Sequence, residues 1–370
     1  MTTDLADDLR ALRGTARDHA ADLRERALAV DAAPHELAPH LDCPGFRLVR
    51  DLLGEPLRVR RVTAALLELA RGDAGMVLAA PGPALAGVVV ALLGGPAHRE
   101  RLAAAVQDGR TWAFMAVTEP DAGSDAARLR AALRPDGDGG YLLSGRKRYI
   151  GNGARGGAGV VFARTGKGPL SIRAALVDAP APGLSAAPLG AIGLRGAGIS
   201  EMVFSDVPVP GAALLGGHLP AAGRGLLGAV KAFTIVRVYV AAMAAGTARA
   251  VHETVLAETG PCGALDAAHA RITAVERLVL RAAGAAEADP GDGRLASAAK
   301  LAAADLAVRA CDRLPELLGP GALLDHPLLE KWRRDAAAFE FMEGTSHIQR
   351  LTIAHRAPRR ARPAGEAAGG

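Results

Sequence analysis

Three cysteines, Cys43, Cys262 and Cys311, are all that this chain of 370 residues contains. The number is odd and no two stand at C-x-x-C spacing. That excludes a disulfide-stapled scaffold and a cysteine metal knuckle, and a reducing cytoplasm is the expected setting. Aromatic residues are scarce too, with two Trp, three Tyr and seven Phe, so a core built on large rings is excluded. The longest apolar run, Ala84 to Leu93, is interrupted by Gly87 and falls short of the ~20 residues that cross a bilayer. The first residues are acidic and helical in pattern, not basic and then apolar, so no export signal is read. His35, His40 and His98 lack ligand spacing, and no metal site is expected.

Half of the residues are hydrophobic, ample for a sizeable core. Many are alanine, which favours close helix packing. The length suggests two or three domains. The formal net charge is +5. The basic residues are scattered, apart from Arg356 to Arg362, and no aromatics are interleaved with them. A solvated surface is the plain reading, a phosphate-bearing carrier or substrate the second, and nucleic acid a distant third.

The pattern divides the chain into three. Residues 1–111 read as a helical domain, with apolar residues at helical spacing and stops at Gly72-Asp73-Ala74-Gly75 and Gly94-Gly95-Pro96. Residues 112–217 read as an antiparallel β domain, a barrel or sandwich. Strands are expected at Leu129 to Leu133 and Tyr141 to Ser144, joined by the turn Asp136-Gly137-Asp138-Gly139-Gly140. Others are expected at Tyr149-Ile150, Val160 to Ala163, Arg173 to Val177 and Met202 to Phe204. Residues 218–370 read as a bundle of long antiparallel helices and a tail. The fold class is α+β.

Phe341-Met342-Glu343-Gly344-Thr345-Ser346-His347-Ile348-Gln349-Arg350 carries the chemistry. Ser346-x-x-Gln349 reads as a capping box opening a helix, whose N-terminus suits an anionic or electron-rich cofactor edge. Gly344 allows close backbone approach by a ligand. On this segment alone, the plain reading of Glu343 is a solvated glutamate at a helix start. The other is a general base beside a bound cofactor.

A second string, Thr118-Glu119-Pro120-Asp121-Ala122-Gly123-Ser124-Asp125, follows a short apolar strand from Trp112. With Glu343-Gly344-Thr345-Ser346 it resembles the acyl-CoA dehydrogenase family of flavoproteins. The resemblance runs on through Gly145 to Gly153, Leu194-Arg195-Gly196 and Phe204 to Pro210. It implies the helical, β, helical order, FAD as cofactor, and oxidation of an acyl thioester to its α,β-unsaturated form. It makes Glu343 the base. In some family members the base stands instead on a bundle helix, just before an arginine that matches Arg237; here that position is Val236, which cannot act as one.

The resemblance further implies that Thr118, with the backbone of Met115 to Val117, holds the flavin ring. Ser124 would contact the flavin and the thioester arm. Tyr149-Ile150-Gly151 stands where the family usually has Trp-Ile-Thr, keeping an aromatic wall and losing a hydroxyl. Thr345, Ser346 and His347 would line the ribityl or phosphate end. Gly344 and Arg237 fall on the substrate side. Two motifs that reach the flavin across a subunit boundary are reduced here to Thr259-Gly260-Pro261-Cys262-Gly263 and Pro315-Glu316-Leu317-Leu318-Gly319. A homo-oligomer, dimer or tetramer, is still expected. The substrate is read as a short polar acyl group on an acyl carrier protein, as in the dehydrogenases of hydroxy- or methoxymalonyl extender units for polyketides. A short-chain acyl-CoA dehydrogenase, a flavin-dependent oxidase or monooxygenase, and a DNA-associated flavoprotein are the alternatives. The electron-transfer partner stays open.

Overall fold

The computed structural model describes residues 2–125, 128–221 and 223–356. Six helices come first: α1 (Thr2–Ala32), α2 (Pro44–Gly54), α3 (Val59–Leu69), α4 (Ala74–Ala79), α5 (Ala84–Leu93) and α6 (Pro96–Val106). Seven strands follow: β1 (Trp112–Ala116), β2 (Ala132–Pro135), β3 (Tyr141–Ile150), β4 (Gly156–Arg164), β5 (Ile172–Asp178), β6 (Leu184–Pro188) and β7 (Ser200–Val209). The chain then returns to helices: α7 (Leu226–Thr259), α8 (Gly263–Ala288), α9 (Arg294–Arg313), α10 (Ala322–Asp325), α11 (Pro327–Ala338) and α12 (Ser346–Arg356).

The sheet runs β1-β4-β2-β3-β7-β6, with β5 also paired to β4. It is not purely antiparallel, as the sequence suggests. β1 lies parallel to β4 from Trp112 opposite Gly156 to Ala116 opposite Val161, because it enters from the helical layer instead of through a hairpin. The Asp136–Gly140 turn joins β2 and β3 as expected. β2 lies three residues beyond the expected start: Leu129 and Ala131 are buried outside the ladder. β4 and β5 bury both faces. Val160, Phe162, Ile172 and Leu176 join the core shared with the helices, and Val161, Ala163, Ala175 and Val177 join a second core within the sheet.

α7 runs unbroken from Leu226 to Thr259 through Gly246. Gly246 does not break it, because that position lies against α3. A Cβ there would come 2.6 Å from the Leu67 carbonyl oxygen, so glycine is what lets the two helices approach. α7 is long and apolar enough to cross a membrane by length and composition, but 72% of its most apolar window is buried within the fold. Gly72-Asp73 also does more than end α3. The Asp73 side chain accepts from the Met76 backbone N–H at 2.7 Å and caps α4.

Asp73 also joins the three parts of the chain. Its Oδ2 accepts from Lys331 Nζ at 2.6 Å and from Trp332 Nε1 at 3.0 Å, both on α11. Lys331 also donates to Asp335 at 2.6 Å, and Asp335 accepts from the Leu194 backbone N–H, which leads into β7. All three charged side chains are buried. Burial disfavours the Lys331 ammonium, but Asp73 and Asp335 outweigh it and hold its pKa above the ordinary value. Burial pushes Asp335 up to about 6 against the pull of Lys331.

Candidate functional site

Glu343 lies on the connection between α11 and α12 with φ +54°, followed by Gly344 at +99°. Two left-handed residues in succession are unusual, and a non-glycine residue there costs about 1–2 kcal/mol. The turn persists because three helices grip its carbonyls. Arg237 on α7 donates through Nε to the Glu343 carbonyl at 3.0 Å. Gln349 on α12 donates through Nε2 to Glu343 at 3.2 Å and to Gly344 at 2.8 Å. Lys300 on α9 donates through Nζ to Gly344 at 2.8 Å and to Glu340 at 3.0 Å.

Glu343 is half-buried as a residue, yet dense protein surrounds its carboxyl. That desolvation raises its pKa to about 7, with Arg237 and Lys300 pulling the other way. A carboxyl poised there exchanges a proton readily at neutral pH, which suits a general base. Val236, the alternative position, is a fully buried hydrocarbon side chain.

The expected capping box does not form. α12 begins at Ser346, and the hydroxyl that accepts from its first turn is Thr345 Oγ1, from the Ile348 N–H at 3.4 Å. Gln349 reaches the carbonyls of Glu343 and Gly344, not the Ser346 N–H. The Ser346 N–H instead donates to Glu340 at 3.1 Å, and the Ser346 hydroxyl donates to the same carboxyl. The Gly-containing turn diverts Gln349: its carbonyls point back over the helix end. Ser346 is buried and His347 exposed.

The Thr118–Asp125 loop is anchored by a pair the sequence reading passed over. Lys147, fully buried on β3, donates to the Val117 carbonyl at 2.8 Å and to Glu119 at 3.0 Å. Glu119 also accepts from the N–H groups of Arg130 at 2.6 Å and Ala131 at 2.8 Å. Its pKa is set first by burial, which raises it; Lys147 and the backbone donors outweigh that and leave it below the ordinary value. Burial draws Lys147 down to about 8 despite Glu119. The inward parity of Lys147 on its strand, between Arg146 and Arg148, was the available signal. Met115 and Thr118 are half-buried, Val117 is buried, and Ser124 is exposed at the loop tip.

Tyr149 is 62% exposed and holds φ +61° where β3 slips register against β7 between Lys147 and Ile150. The Arg148 guanidinium carbon lies 5.4 Å from its ring centroid. A bulky residue in this conformation, presenting a flat ring outward, is a local strain of the kind found at ligand sites. Ile150 is buried, and at Gly151 an added Cβ would find nothing closer than the Ala197 carbonyl oxygen at 3.8 Å. An outward aromatic face, a threonine hydroxyl and an uncrowded glycine suit a planar ring cofactor such as the isoalloxazine of FAD.

Comparison with known proteins agrees. Residues 114–207 match the middle-domain model of acyl-CoA dehydrogenases, and residues 263–357 the C-terminal-domain model. Cyclohexane-1-carbonyl-CoA dehydrogenase of Geobacter metallireducens is 33% identical over 272 residues, 69% of this chain and 70% of that protein. A glutaryl-coenzyme A dehydrogenase in complex with glutaryl-CoA superposes with a TM-score of 0.83 at 20% identity, covering 94% of each chain. The prolyl acyl carrier protein oxidase AnaB superposes with a TM-score of 0.78 at 22% identity, covering 94% of this chain and 98% of that one. The chain belongs to the acyl-CoA dehydrogenase family of FAD-dependent oxidoreductases.

Proposed function

We propose that the protein dehydrogenates an acyl thioester, with Glu343 removing the α-proton. The observation that carries this is the Glu343–Gly344 turn, left-handed at both residues and held by Arg237, Lys300 and Gln349, on which burial raises the carboxyl's pKa to about 7. FAD, when bound, supplies the acceptor for the β-hydrogen as hydride. Thr118 and the backbone of Met115 to Val117 hold its ring, with Tyr149, Ile150 and Gly151 as the wall. Thr345, Ser346 and His347 at the start of α12 face its ribityl or phosphate end. Ser124 serves both the flavin and the thioester arm. The Glu343 backbone N–H polarises the thioester oxygen, where negative charge develops, and Gly344 and Arg237 border the acyl group.

For the substrate we propose a short polar acyl group on an acyl carrier protein, in the manner of polyketide extender-unit biosynthesis. The net charge of +5 suits an acidic carrier. A CoA thioester is the second reading, favoured by the name of the Geobacter relative. Exposed Leu324, Phe341 and Leu351 on and beside the C-terminal helices support assembly into a homo-oligomer. Anaerobic incubation of the flavin-loaded protein with matched CoA and carrier-protein thioesters tests both readings. Faster bleaching by the carrier form supports the first reading and faster bleaching by the CoA form the second. No bleaching by either rejects the dehydrogenase reading.

A further inference from the structure

Lys300 occupies an internal position of α9, among buried Ala296, Ala299, Ala303 and Ala304, and has no exposed surface. An ammonium placed there is costly unless the site uses it. Its Nζ donates to the backbone carbonyls of Glu340 and Gly344, on either side of Glu343. With Arg237 and Gln349 it completes the grip on the left-handed turn. The charges acting on the Glu343 carboxyl are those of Arg237 on α7 and Lys300 on α9. Glu340, on the segment after α11, faces Lys300, and the α12 side chain turned toward the site is the uncharged Gln349.

We propose that Lys300 is a positioning residue for the base: its Nζ fixes the Glu343–Gly344 turn, and its charge offsets part of the cost of ionising the Glu343 carboxyl there. This rests on reading Glu343 as the base. The electrostatics agree in sign. Burial raises Glu343 and the two cations oppose it. Burial also lowers Lys300 to about 8, with Glu340 and Glu343 resisting and Arg237 assisting. Each charge therefore favours the ionised form of the other.

Carbon-13 NMR of flavin-loaded protein carrying δ-13C glutamate tests this, with the Glu343 resonance assigned by its loss in Glu343→Gln. In Lys300→Gln, which keeps an amide donor and loses the charge, the Glu343 midpoint is expected to rise by about one unit, and in Lys300→Arg to return toward the parent value. Lys300→Arg, which keeps the charge, serves as the second variant where Lys300→Gln does not fold: its Glu343 midpoint should lie within a few tenths of a unit of the parent's. Equal midpoints in the parent and a folded, flavin-retaining Lys300→Gln would overturn it, as would a Lys300→Arg variant whose midpoint matches that of Lys300→Gln. Failure of the base assignment is a separate outcome: Glu343→Gln would then turn over normally, whatever the titration shows.

Discussion

The Glu343 carbonyl accepts a 3.0 Å hydrogen bond from Arg237 Nε, a residue 106 positions earlier on α7. Through this backbone contact Arg237 helps fix the turn that carries the carboxyl, and its charge opposes the rise in the Glu343 pKa. Arg237→Lys keeps a charge but loses the planar fork that meets the carbonyl. It is expected to retain flavin and to lower turnover about 10- to 100-fold, the scale of a small misplacement of a reacting group. Steady-state rates on protein of matched flavin content check this.

The raised pKa of Glu343 makes a stability prediction with a definite sign. Folded, it titrates near 7; its ordinary value is 4.5. The folded form holds this proton more tightly, so the site is unstrained below about pH 4.5, and stability is lost as pH rises through about 7. Glu343→Gln never carries the charge. It should match the parent in stability near pH 4.5 and exceed it above pH 7, by roughly 1–3 kcal/mol. Denaturant melts of both proteins at the two pH values measure it, and a parent that gains on the variant with rising pH contradicts it.

Tyr149 separates strain from function. At φ +61° a glycine fits without steric conflict. Tyr149→Gly should leave the flavin-free protein no less heat-stable than the parent, because relief of about 1–2 kcal/mol of backbone strain offsets the loss of a largely exposed ring. Flavin affinity should fall by roughly ten-fold, on the order of 1 kcal/mol of aromatic contact. Equilibrium flavin titration and thermal melts of the flavin-free form give the two numbers.

The buried cluster of Asp73, Lys331 and Asp335 holds the helical layer, the loop before β7 and α11 together. Lys331→Met leaves two carboxylates buried without their cation. A loss of about 3–5 kcal/mol is expected, as for other buried pairs broken from one side. Asp73→Asn with Lys331→Met should recover part of it by removing one stranded charge. A double-mutant cycle read by denaturant melts tests the coupling.

Much of the fold was legible because its signals are local. Helix α5 runs over Ala84–Leu93 as its apolar run indicates, and the Asp136–Gly140 turn closes its hairpin. What escaped depends on distant partners. The glycine-rich stretch after α3 reads as a break until Asp73 is seen capping α4. β6 is short and mostly exposed, so it carries no apolar alternation. In the candidate site, the string around Glu343 is local, whereas the contacts that hold its turn are not written in that string. Lys300 and Gln349 act on backbone carbonyls across 44 and 5 positions, and Lys147 pairs with Glu119 across 28. The one local clue to Lys300 is a charged residue on the alanine face of α9.

The most direct test is anaerobic stopped-flow flavin reduction by a thioester substrate of the parent, repeated with Glu343→Gln at equal flavin occupancy. The account predicts that the parent bleaches and that the variant binds flavin but bleaches about 10²- to 10⁴-fold more slowly. Bleaching of the variant at the parent rate would contradict it.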